Sequence, residues 1–581
     1  MSGRFIKKYW PLVAAALLVG LFSIAPLFLS LQRMGDSFQG IWPQFNSDAN
    51  FYLSRMHEVE DGHPDMNNPY FAEHKDAVYP QATGAERFVA FLSQALGVSI
   101  PGLQAVLAFI TPALMAALMY LLLMMLYPNR LSAFVLSAVF FTVVTGGMTK
   151  PIHPGISFPL LLLFLLSWFY LVFKKERQGI YTVLCGVFLG LLFLTYFFHW
   201  SFLFVVLGVY GLTLLVKKDY GQLKRHVIIV AIALAVGAPF LVRALAGVDA
   251  PFYEDMALRQ GVFATHWPET FPRLTVALAW LGVFVFLTRH YRLNHETRSH
   301  VLLSLLIANV VYPNHQIITG ITIENANHWS LMPVFLYALS GHYLVFSIRE
   351  RVRRSWSALN AAILGVVAIM FVIPSWRLYT FNFPPYQRSL AVSTTEESQQ
   401  KYADVLQWID NNTFRDSVIF SHLAFMRLVP VYTHANVYYT ESAPYLLVSD
   451  TEVIERTLLA LFFDIDDFAA RDFGMGDVPR ILWTQPAMIE RNTHWLHDRL
   501  NINYELQYTL ERELELVRSV YADLAAEGWD SNLLQRYRLD YIVWDKELSP
   551  EWNLDAYSEL TRVYDQDGIG VFVFSENQHG T

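Results

Sequence analysis

Two polar stretches carry most of the chemistry in this chain: QFNSDANFYLSRM at residues 44–56 and NHQIITGITIENANHW at 314–329. Each borders a long apolar run, and each holds one acid, Asp48 or Glu324. An ionisable side chain costs about 2.5–3.5 kcal/mol at the centre of a bilayer, so acids kept beside hydrocarbon are there mainly for function. A carboxylate at Asp48 could act as a general base or as a hard oxygen ligand to a metal. Ser47 and Asp48 also read as the cap of a following helix, a role that favours these residue types. Glu324 sits among Asn314, His315, Gln316, Thr319, Thr322, Asn325, Asn327 and His328, with no Lys or Arg in the stretch. Such a loop could hold a divalent cation, Mg or Mn, between Asp48 and Glu324, or it could bind the hydroxyls of a sugar. A solvated loop is the plainer reading, although a mere connection needs only about four residues.

Cations come from three other places. MTKPIHPG (148–155) supplies Lys150 and His153, FFHW supplies His199, and a helical stretch supplies Arg243. At the membrane surface such groups could hold a phosphate. For Arg243, a long side chain snorkelling to the interface is the alternative. The phosphate- and substrate-binding candidates are therefore Lys150, His153, His199, Arg243, Asn314, Gln316, Thr319 and His328. HETRSH (295–300) lacks a zinc-ligand spacing, and the chain has no Walker loop and no basic patch for nucleic acid. The apolar helices carry almost no acids or bases, which counts against an ion-coupled transporter.

The elements that must position these residues are membrane helices. Of the 581 residues, 54% are hydrophobic and 16% charged, with a mean hydropathy of +0.32. A soluble protein would carry roughly 25% charge. Eleven apolar segments are expected to span the bilayer, near 10–31, 101–127, 131–147, 156–173, 180–198, 201–216, 227–246, 274–288, 300–313, 330–348 and 357–375. Lys and Arg crowd alternate short loops: Arg4/Lys7/Lys8, Arg130, Lys174/Lys175/Arg177, Lys217/Lys218/Lys224/Arg225, Arg289/Arg292/Arg298 and Arg349/Arg351/Arg353/Arg354. The opposite loops hold Lys150, Arg259 and Arg273. Positive loops stay cytoplasmic, so the amino terminus is expected inside and residues after 376 outside, in a multi-pass protein of the plasma (inner) membrane. The first segment reads as an uncleaved signal-anchor. With Cys185 the single cysteine, no intrachain disulfide can form.

Residues 1–380 thus read as a transmembrane domain with a large first external loop at 32–100. Within that loop, GAERFVAFLSQAL places Phe88, Phe91, Leu92, Ala95 and Leu96 on one helical face, opposite Glu86 and Gln94. Such a helix suits the membrane interface or a face packed on its own protein. After Trp376 the composition turns polar. YADVLQWIDNNT reads as a helix, and DSVIFSH, VYYT, DYIVWD and GIGVFVF read as strands. Residues 385–581 are therefore expected to form an extracytoplasmic α/β domain with a helical insertion at 452–538.

Together, an acid after the first helix (SDANFYLSRMHEVEDGHPDMNNPY), many membrane helices, TIEN at 322–325 and the segment LQWIDNNTFRDSVIFSH resemble GT-C superfamily glycosyltransferases. TIEN is similar to the TIxE motif of oligosaccharyltransferases, shifted by one position. MTKPIHPG has no acid where those enzymes carry an acidic pair, and EGWDSN stands nearest to their WWDYG, which points away from a peptide acceptor. The resemblance implies a polyprenyl-phosphate-type sugar donor in the membrane lipid, an extracytoplasmic acceptor, and inverting transfer with Asp48 as catalytic base. Two other readings stand beside it: a non-catalytic membrane protein whose external domain binds polysaccharide or a partner, and a transporter of a lipid-linked sugar.

Overall fold

The computed structural model describes residues 3–575 apart from 45–47, 67, 79–80, 145–149, 175, 269–270, 324–327, 353–364, 366–371, 374, 378, 381–382, 391–396, 465–472, 475–484, 504 and 529–530. The chain forms two compact units. One comprises residues 1–33, 101–242 and 265–393, the other residues 34–100, 243–264 and 394–581.

The first unit is built from apolar helices. Seven helices are long and apolar enough to cross a membrane: Tyr9–Ser37, Ile100–Leu126, Ser157–Lys174, Phe197–Val216, Tyr220–Val248, Arg273–His290 and Leu331–Val352. Three further expected spans are helical but shorter, at Arg130–Val143, Gln178–Phe193 and Thr297–Val311. The 16 residues of Gln178–Phe193 rise about 24 Å, less than a roughly 30 Å hydrocarbon core. The eleventh expected span, 357–375, lies almost wholly outside the described residues.

Packing in this unit follows side-chain size. Leu331–Val352 is 78% buried and Tyr220–Val248 only 17%, so the former is central and the latter peripheral. Gln178–Phe193 and Tyr220–Val248 approach closely where Gly186 and Gly190 lie four residues apart. A Cβ added at Gly186 would sit 2.6 Å from Ile232 Cβ, and one at Gly190 2.5 Å from Val236 Cβ. Small residues at this spacing let helix backbones meet in lipid, where dispersion rather than the hydrophobic effect drives association.

The second unit carries a five-stranded sheet. Its strands are β1 Val418–Phe420, β2 Asn436–Val437, β3 Tyr541–Asp545, β4 Leu560–Gln566 and β5 Ile569–Phe574, in the order β2-β1-β3-β5-β4. β1 runs parallel to β2 and β3, and β5 runs antiparallel to β3 and β4. β1 and β3 are buried throughout, as apolar runs in a covered sheet should be. Of the expected strand VYYT only Val437 lies in the ladder, while LTRVYDQ forms a strand the pattern did not announce. Asp567 and Gly568, both at positive φ, make the tight turn between β4 and β5. The insertion is helical at Asp450–Leu459, Gln485–Leu500 and Leu510–Glu527.

Residues 34–100 belong to this second unit rather than to the helical one with which they were expected. Arg456, fully buried, explains the attachment. Its guanidinium lies 4.2 Å from the Phe71 ring and 3.9 Å from the Tyr537 ring, and it pairs with Glu73 at 2.9 Å and Glu452 at 2.8 Å. The helix Gly84–Leu96 turns Glu86 inward, 1% exposed, onto Arg55 at 2.5 Å. Burial raises the Glu86 carboxyl above its usual range even with Arg55 beside it. Phe88, Phe91 and Leu96 stay exposed, so the apolar face is not the packed one.

Candidate functional site

Three apolar helices of the first unit begin at one place, and histidines sit at each beginning. His153 lies in the turn before Ser157–Phe169, Tyr196 caps Phe197–Val216 with His199 in its first turn, and His328 lies three residues ahead of Leu331–Val352. His153 and Tyr196 stack at 3.9 Å with their planes 6° apart. The His199 ring stands 5.1 Å from His153 and 4.8 Å from Tyr196. Tyr196 Oη lies 2.7 Å from His328 Nδ1, and Phe198 stacks on His328 at 4.3 Å.

Local structure explains the placement. The turn carrying His153 doubles back so tightly that a Cβ at Gly155 would lie 2.3 Å from the Pro151 carbonyl oxygen; only glycine fits there. Ser157 then ties two of the histidines together. Its hydroxyl lies 3.0 Å from His153 Nδ1, and its carbonyl 3.3 Å from His199 Nδ1. A carbonyl only accepts, so the His199 proton is on Nδ1 and its basic nitrogen is Nε2. His328 is anchored through its neighbour: the Trp329 indole donates to Asn309 Oδ1 at 3.2 Å and packs 4.8 Å from Phe202 and 4.7 Å from Tyr312.

Burial, reinforced by the charges of His199, His328 and Lys150, holds His153 well below the usual histidine range. His153 is therefore a neutral imidazole, grouped with His199 and His328 at three helix amino-terminal ends, where the helix dipole favours an anion.

The expected site residues divide between the units. His153, His199 and His328 come together, and Lys150 is near enough to act on His153. Asn314 is buried and donates to the Val310 carbonyl at 2.9 Å, ending the helix before it. Gln316 is fully buried with neither amide atom hydrogen-bonded, while Thr319 is exposed and bonds back to the His315 carbonyl at 3.1 Å. Among the described residues no hydrogen bond or ring contact joins these three to the histidines. Glu324 lies outside the described residues.

Asp48 and Arg243 belong to the second unit. Asp48 occupies the position ahead of helix Ala49–Glu60, yet its side chain makes no capping hydrogen bond; its carbonyl accepts from Tyr52 at 3.2 Å. Arg243 pairs with Asp65 at 2.6 Å, and Arg87 pairs with the same carboxylate. Among the described residues no three His, Cys, Asp or Glu side chains gather to hold a metal ion. Sequence reasoning missed Tyr196, Ser157 and Gly155. Tyr196 gave no signal beyond being an aromatic three residues before His199.

No protein-family model matches the chain, and neither does any curated protein. Solved structures that it resembles include the archaeal oligosaccharyltransferase AglB from Archaeoglobus fulgidus, in complex with an inhibitory peptide and a dolichol-phosphate. That likeness has a TM-score of 0.49 at 13% identity, over 99% of this chain and 75% of that one. They also include ArnT from Cupriavidus metallidurans bound to undecaprenyl phosphate, with a TM-score of 0.43 at 13% identity, over 74% of this chain and 85% of that one.

Proposed function

We propose that this chain is an integral membrane glycosyltransferase that moves a sugar from a polyprenyl-phosphate-type lipid to an extracytoplasmic acceptor, with inversion. The observation that carries this reading is the meeting of His153, Tyr196, His199 and His328 at the amino-terminal ends of three apolar helices. A polyprenyl chain belongs in hydrocarbon, so its phosphate has to be met where such helices begin. The imidazole N–H groups, the helix dipoles and Lys150 suit that phosphate and the charge that grows on it as the glycosidic bond breaks.

In the proposed step the acceptor hydroxyl gives its proton to the Asp48 carboxylate while its oxygen bonds to the anomeric carbon. The bond from that carbon to the phosphate oxygen breaks, and the polyprenyl phosphate leaves with the bonding pair. Asp48 suits the role as a carboxylate placed between the first apolar helix and the helix Ala49–Glu60. The proposal also keeps eleven spans, the amino terminus in the cytoplasm of a plasma-membrane protein, and a divalent cation, Mg or Mn, with Asp48 and Glu324 among its ligands. Chelation in the transfer assay reads whether that ion is needed.

The test is Asp48→Asn. Asparagine caps a helix as well as aspartate does but is no base. Loss of a general base typically costs about 100- to 10,000-fold in rate. Membranes containing the variant should therefore transfer labelled sugar from endogenous lipid carriers at least about 100-fold more slowly, with the fold intact. Near-normal transfer would remove Asp48 from the mechanism.

A further inference from the structure

We propose that Tyr196 is a positioning residue that sets His153 and His328 at one fixed spacing, so that both engage the phosphate of the lipid together. The inference rests on the phosphate-binding reading of this site. The two histidines come from segments 175 positions apart in the chain, and Tyr196 touches both: its ring lies flat on His153 at 3.9 Å and its hydroxyl is 2.7 Å from His328 Nδ1. An isolated imidazole on a turn rotates freely about its side-chain bonds. A stacked face removes one such freedom, and a hydrogen bond to a ring nitrogen removes another.

In this proposal that hydrogen bond has one direction, with the Tyr196 hydroxyl as donor. With the Tyr196 hydroxyl donating to Nδ1, the His328 hydrogen is carried on Nε2, which is then a donor fit for a phosphate oxygen. Without the hydroxyl, His328 can take either tautomer, and only one of the two presents that donor. Tyr196 itself has an extended backbone, with φ −158° and ψ 113°, ahead of its helix, so the ring is set by the helix start and not by a mobile loop.

The full chain in detergent, with farnesyl phosphate as probe and farnesol as control, tests both ideas separately. His153→Ala and His328→Ala should each weaken farnesyl phosphate at least about tenfold and leave farnesol unchanged. Tyr196→Phe keeps the stack and removes the hydroxyl. It should weaken farnesyl phosphate by about three- to tenfold, the range one hydrogen bond supplies, at an unchanged melting temperature. The 15N resonances of His328 should move toward a mixture of tautomers, and in a His328→Gln background Tyr196→Phe should have no further effect. If Tyr196→Phe lowers the melting temperature, 3-fluorotyrosine at 196, which keeps the shape and makes the hydroxyl more acidic, must still change the affinity; an unchanged affinity overturns the inference. Histidine variants that matter beside a Tyr196→Phe that binds normally would sink the positioning role alone. Histidine variants without effect would remove the phosphate reading and this inference with it.

Discussion

His153 sits where burial and nearby positive charge both oppose its protonation, so in the free protein it is neutral at pH 7. A bound phosphate reverses that balance, because an anion raises the pKa of an adjacent imidazole. Binding then takes up a proton, and affinity should rise as pH falls. Farnesyl phosphate has its own ionisation near pH 6, which works the other way; the difference between wild type and His153→Gln, measured from pH 8 to 6, isolates the imidazole. The wild type should gain affinity relative to the variant across that range, and parallel profiles would show that His153 does not meet the phosphate. Stability moves in the opposite sense. The depressed folded-state pKa contributes stability that is present above about pH 6.5, where unfolded histidine is also neutral, and is lost as pH falls below it. His153, His199 and His328 were legible from residue type beside apolar runs. Tyr196 was not, since in FLTYFFHW it reads as one more interfacial aromatic, and only the fold brings its hydroxyl to a histidine 132 positions away.

At the scale of elements, the meeting of Gln178–Phe193 with Tyr220–Val248 depends on glycine. Gly186→Leu would drive a side chain into Ile232, and Gly190→Leu one into Val236. Overpacking of this kind typically costs about 1–3 kcal/mol. Each variant should lower the melting temperature in detergent, while Gly179→Leu on the same helix, where a Cβ meets nothing within 4 Å, should not. Equal effects at all three positions would show that close approach is not what these glycines provide. The long apolar helices were plain in the sequence because hydropathy alone specifies them. The sheet was less so. The β1 and β3 runs are apolar and buried on both faces, hence visible, but the side chains of Leu560–Gln566 are mostly exposed or half-exposed and the strand is held by its backbone pairing to β5. Its best signal was the Asp567-Gly568 turn that follows it. At Asp48 the alternative reading as a helix cap does not extend to the side chain, since a residue favoured at a helix start need not use its side chain there.

For the whole molecule, the decisive property is which side of the membrane each end of the helices faces. Alternate short loops carry nearly all the Lys and Arg, and that bias sets orientation because positive residues resist translocation. In the proposed orientation the histidine array falls at helix beginnings outside the membrane, the side on which a lipid-linked sugar would meet an external acceptor. Cytoplasmic placement of those ends would put His153, His199 and His328 on the wrong side for the proposed reaction. Cys185 is buried, so a membrane-impermeant thiol reagent meets little background, and Cys185→Ser removes what remains. In that background a cysteine at Glu441, which is 49% exposed in the second unit, should be labelled on intact cells. A cysteine at Lys218, exposed in the turn before Tyr220–Val248, should be labelled only after the membrane is opened. Labelling of Lys218→Cys on intact cells, with Glu441→Cys protected, would invert the topology. The array would then open to the cytoplasm and could serve no extracytoplasmic transfer, whatever its affinity for phosphate.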